Sequence, residues 1–69
     1  MAIRLRVKEV AEEKGFSMTK LSHRSEVAYY TVHAIFKDPY RQVTYATLDK
    51  IAKALGVTVA DLVEEVPDN

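Results

Sequence analysis

The chain has no cysteine, only two glycines and two prolines in 69 residues, no long apolar run, and no net charge. Each absence excludes something. Without cysteine there is no disulfide framework, no thiolate metal site and no thiol nucleophile. No apolar stretch approaches the length of a membrane span, and the opening MAIRLRVKEV has no apolar signal core. A soluble, cytoplasmic chain with no membrane partner is the expectation. A chain of 69 residues makes one domain at most, spanning 1–69. Such a domain buries only about 60% of its unfolded surface, which leaves little room for both a core and an enclosed catalytic cavity. Binding across the surface is the better default.

The zero net charge is unevenly laid out. Residues 1–42 carry eight Lys or Arg against five acids, whereas residues 43–69 carry two Lys against five acids. The first part can face a polyanion while the second faces elsewhere. Ordinary solvated charge on a small domain would give the same counts.

What is present is helical spacing nearly throughout. The start is the exception: Ile3, Leu5 and Val7 alternate with Arg4, Arg6 and Lys8, which suits an extended segment near residues 2–6. A first helix is expected over 7–14, closed by Gly15 in a left-handed conformation. Ser17 caps a second helix over 18–24, in which Leu21 faces inward and Ser22 is small enough for another helix to approach. After the short link Ser25-Glu26-Val27 comes a third helix over 29–36, with Val32, Ile35 and Phe36 on one face. Asp38-Pro39 ends it, because the residue before proline is pushed out of helical angles. Thr44 caps a fourth helix over 45–55, whose stripe is Leu48, Ile51, Ala52 and Leu55, and Gly56 closes it. Thr58 with Asp61 reads as a capping box opening a fifth helix over 59–65.

Two short helices joined by about three residues form a helix-turn-helix, in which the second helix enters the major groove. With Val32 and Ile35 inward, the far side of the third helix carries Tyr30, His33, Ala34 and Lys37, with Tyr29 on the flank. A purely structural helix would fill that face with Glu, Lys and Gln. Tyrosine can pack on thymine methyls or sugars, His33 can donate to guanine or phosphate, and Lys37 and Arg41 are placed for phosphates. The plainer alternative is that Tyr29 and Tyr30 cover the domain's own core.

The sequence resembles the lambda-repressor-like (Cro-type, XRE-type) helix-turn-helix domain. VKEVAEEKGFSMTKLS, VAYYTVHAIF and VTYATLDKIAKALGVTVADLVEE carry the resemblance, which covers about residues 3–65. It implies an all-α, five-helix fold preceded by a short extended segment, and sequence-specific binding of double-stranded DNA in transcription regulation. It places Met18 and Thr19 at the backbone and against the recognition helix. It gives Tyr29, Tyr30, Thr31, His33 and Ala34 base- and sugar-reading roles, and Lys37 and Arg41 phosphate contacts. The chain also departs from the family. Ala28 replaces the usual Ser or Thr cap, Glu26 stands where Gly often turns, and Met18 stands where Gln is common. Ala11 and Phe36 replace a frequent buried Arg–Glu pair, so Phe36 is expected to pack over Ala11.

Catalysis is not expected. His23 and His33 have no cysteine partner and no serine or acid constellation, and two His ten residues apart are not a metal site. No cofactor and no small-molecule effector is implied. Glu12, Glu13, Glu64 and Glu65 read as solvated helix faces. The competing function is a protein-interaction module, such as an antitoxin, anti-repressor or accessory subunit, that keeps the fold without reading DNA. Homodimerisation on DNA is expected, through the Ile3–Leu5 strand edge or the helix-5 residues Val59, Val63 and Val66. Equally, Val59, Leu62 and Val66 can simply close the monomer core.

Overall fold

The computed structural model describes residues 2–67. The elements are β1 (Ala2–Leu5), α1 (Val7–Glu13), α2 (Met18–Ser25), α3 (Tyr29–Lys37), α4 (Tyr45–Leu55), a 3₁₀ turn (Val59–Leu62) and β2 (Val63–Val66). The four α-helices fall within a residue or so of the expected bounds. Their ends are built as the capping chemistry requires. Ser17 accepts the Lys20 amide, Thr44 accepts the Thr47 amide, and Gly15 and Gly56 take left-handed angles at φ 75° and 73°.

The expected fifth helix over 59–65 is corrected. The capping box is there, with Thr58 and Asp61 bonding reciprocally, but only one 3₁₀ turn follows. Val63 is already extended at φ −129° and ψ 151°. β2 then runs antiparallel to β1, with Ala2 opposite Val66, Arg4 opposite Glu64 and Leu5 opposite Val63. Two forces favour the strand. β-branched Val63 and Val66 suit a pleated surface. The extended β1 also needs partners for its backbone groups, since a buried unpaired amide or carbonyl is costly. The Arg6 amide extends the tie by donating to the Leu62 carbonyl at 2.7 Å.

The pairing also corrects two expectations about surfaces. Glu64 is not a solvated helix residue. It accepts from Arg4 at 2.8 Å across the sheet, while Arg4 also bridges to Glu9 on α1, so one guanidinium ties β1, β2 and α1 together. The Ile3–Leu5 edge is only partly open to a symmetry mate. One side pairs with β2, and the Leu5 amide donates to the Pro39 carbonyl at 2.7 Å. Leu5 is a core residue, 4% exposed, rather than a dimer contact. Ile3 remains 52% exposed. Val59 and Val63 are half-buried against the core, and Val66 is half-buried in β2.

The core gathers one stripe from every element. Leu5, Val7 and Ala11 meet Leu21, Val32 and Ile35 from the helix-turn-helix, and Ile51, Leu55 and Leu62 close the far side. Phe36 is half-buried and packs on the cluster to which Ala11 belongs. The apolar replacement of an ion pair is therefore self-consistent, as burying neither charge avoids both desolvation penalties.

Candidate nucleic-acid interface

The turn between α2 and α3 is held by two serines. Ser25 is buried; its hydroxyl donates to the Leu21 carbonyl at 2.6 Å and accepts the Val27 amide at 3.4 Å. The Ser22 hydroxyl donates to the Val27 carbonyl at 2.7 Å. Both polar ends of Val27 are thus satisfied while its side chain enters the core. Between them Glu26 sits at φ 60° and ψ 28°, the left-handed region, where a residue with a Cβ is disfavoured by about 1 kcal/mol. Sequence reasoning marked Glu26 as standing where Gly often turns but did not find the serine latch, which exists only once the turn is formed.

This turn aims α3. Val32 and Ile35 are fully buried and Phe36 is half-buried, which fixes the rotation of the helix about its axis. The opposite face is then outward. Tyr30 is 71% exposed and Tyr29 47%, and His33 and Lys37 are exposed. Thr31 and Ala34 are half-buried. Neither tyrosine serves as a core lid. The Tyr29 and His33 rings stack with centroids 6.2 Å apart and planes at 26°. That is a favourable offset arrangement for side chains one turn apart. It limits the rotamers available to both rings before any partner arrives. Ala28 starts α3 with no side-chain cap, as its identity dictates.

Of the other expected site residues, Met18 is half-buried at the first turn of α2, and together with His33 and Lys37 it lines a groove beside α3. Thr19 is exposed. Arg41 is exposed but sits apart, in a cleft with Ile3, Leu5 and Val43 beside β1. The loop that carries it is shaped by Asp38, whose carboxylate accepts the Tyr40 amide and whose carbonyl accepts the Arg41 amide, both at 3.1 Å. Two exposed tyrosines were not singled out by sequence reasoning, Tyr40 in this loop and Tyr45 at the start of α4. Tyr45 lies three residues before Leu48 on the same helical stripe, so its spacing mimics a core position. Its place in the first turn, beyond the packed part of α4, leaves it in solvent.

Two packed helices joined by a tight turn, the second showing an aromatic and basic outer face, define a helix-turn-helix. Residues 6–68 match the Cro/C1-type HTH DNA-binding domain family, and the chain belongs to that family. Among solved structures, the fold is similar to part of Streptomyces albus HEPD, described with its substrate 2-hydroxyethylphosphonate and Fe(II) bound. The TM-score is 0.81 at 28% identity, over 93% of this chain and 14% of that one. The chain therefore spans a small fraction of that protein's length. No curated protein sequence matches. Among the described residues, no group of three or more His, Asp or Glu is placed to hold a metal ion, and no helix is long and apolar enough to cross a membrane.

Proposed function

We propose that the chain is a transcriptional regulator that binds double-stranded DNA sequence-specifically, with α3 in the major groove. The observation that carries this reading is the outer face of α3. Tyr29, Tyr30, His33 and Lys37 are exposed while Val32 and Ile35 are sealed below them. The major groove admits one helix, and its base edges offer distinct donor, acceptor and methyl patterns. Tyr30 is the strongest base- or methyl-reading candidate, since it is the most exposed of these side chains. Tyr29 and His33, stacked on one another, act as one preset unit for sugars or bases. Lys37 supplies charge for a phosphate. Binding, not catalysis, is the role this surface supports, and pairing of two copies on adjacent half-sites would add the contact area that a single small module lacks.

The test is an unbiased selection of duplex sequences with the purified chain, repeated with Tyr30→Ala and Lys37→Ala. Tyr30→Ala is expected to weaken binding and relax the selected sequence. Lys37→Ala is expected to weaken all sequences equally and to flatten the salt dependence by about one counterion. Unchanged selection by both variants would refute the assigned face. A protein-interaction module is the second reading, favoured by the zero net charge. It predicts no steep loss of duplex affinity with added salt.

A further inference from the structure

Beside α3 lies an open groove of about 590 Å³, bounded by α1, the start of α2 and the last turns of α3. Its floor is Phe16, Met18 and Phe36. All three are half-buried and packed on the core, so each is anchored while part of its surface remains accessible. Its rim holds Lys8 and Lys37 against one acid, Glu12. The Lys20 ammonium adds a further positive charge, 4.7 Å from the centre of the Phe16 ring. Among the described residues, none of these lysines forms an ion pair. An apolar, largely aromatic floor under a rim of net positive charge is a specific chemical combination.

We propose that this groove binds a small aromatic anion and that the bound anion opposes DNA binding. The volume is within the range of small-ligand sites. Phenyl rings and a thioether favour a flat ring laid against them. Ammonium groups at the rim form charge-assisted hydrogen bonds with a carboxylate or sulfonate. The open side lets that charged end stay partly wet while the ring is covered. His33 and Lys37 belong to both the groove and the outer face of α3. A ligand there occupies Lys37 and brings negative charge to where a phosphate would approach. The antagonism rests on the DNA-binding reading; the ligand site does not.

The first arm titrates naphthoate into the full chain and follows proton–nitrogen correlation spectra. Amide shifts are expected to concentrate on Lys8, Phe16, Met18, Phe36 and Lys37. Uncharged naphthamide is expected to bind about fivefold more weakly, and Lys8→Gln, an exposed substitution outside the assigned DNA face, to weaken naphthoate by a similar factor of about five. No binding, shifts centred on the cleft beside Ile3 and Val43, or equal affinity for naphthamide would overturn the site. The second arm measures duplex binding with and without naphthoate. Weaker duplex binding in the wild type, with a smaller effect in Lys8→Gln, supports the antagonism. Naphthoate seated in the groove with duplex affinity unchanged would overturn it. A chain that takes naphthoate there but binds no duplex at low salt sinks the DNA-binding reading and leaves the ligand site standing.

Discussion

Ala28 opens α3 with a bare methyl, whereas Ser17, Thr44 and Thr58 each accept the amide three residues on. Ala28→Ser supplies the missing acceptor. The backbone already suits it: ψ at Ala28 is 139°, near the 168° of Ser17 and 154° of Thr44. The side chain is exposed, so no packing is lost. A cap of this kind contributes about 0.5–2 kcal/mol. The Thr31 amide already donates to the Ala28 carbonyl at 3.0 Å, so the new bond would be shared. Such sharing occurs at Asp61, whose amide bonds both the carbonyl and the hydroxyl of Thr58 at 3.1 and 3.3 Å. That places the gain in the lower half of the range, about 0.5–1 kcal/mol. At about 4–8 °C per kcal/mol for a domain this small, Tm should rise by about 2–8 °C. Thermal melts followed by circular dichroism measure it, with urea titrations to confirm that the slope is unchanged. Ser17→Ala is the mirror control and should lose about 1 kcal/mol. If Ala28→Ser melts at or below the wild type while Ser17→Ala is destabilised, the account of how α3 begins is wrong.

Leu5→Ala should cost about 2–5 kcal/mol in chemical denaturation, because Leu5 is a sealed core residue; a neutral result would return it to the surface. Ile3→Glu, by contrast, should leave the melting temperature nearly unchanged while separating any DNA-bound pair in sedimentation, and an intact pair would exclude the β1 surface from pairing. Acid should destabilise the fold through two carboxylates. The Thr58 amide and hydroxyl donate to Asp61 and lower its pKa. Partial burial pushes the Glu9 carboxyl up, but the Arg4 hydrogen bond, its own backbone amide and the charges of Arg4 and Arg6 outweigh this and hold it low. Both folded pKa values lie below the unfolded ones, so their stabilisation is complete above about pH 5 and disappears as pH falls through the folded values. Asp61→Asn should shrink the loss of Tm between about pH 5 and about pH 2; an unchanged acid limb would assign the loss elsewhere.

The helix-turn-helix and its outer face were legible because local rules decide them. Ser17, Thr44, Gly15 and Gly56 mark element ends by their own chemistry, and Val32 with Ile35 fixes the rotation of α3 by spacing alone. The C-terminal strand was not legible, for a definite reason. Val59, Leu62, Val63 and Val66 stand at i, i+3, i+4 and i+7, the spacing of a helix. What selects the strand is β1, about sixty residues earlier, and no window on the sequence contains both. The same distance hid the Arg4–Glu64 pair and made Leu5 look like a surface residue. At the α3 face the Tyr29–His33 stack was readable in principle, since residues four apart on a helix are neighbours. The division of Lys37 and Arg41 between a groove and a separate cleft was not, because it depends on how the Asp38 loop folds back toward β1.

Because Ala2 lies across from Val66, the polypeptide enters and leaves this fold at one spot, on the strand pair rather than on α3. A domain of that shape can be spliced into a surface loop of a larger protein through two adjacent tethers, or have its ends joined and new ones cut elsewhere, without pulling the helices apart. Whatever is mounted on those tethers hangs from the sheet.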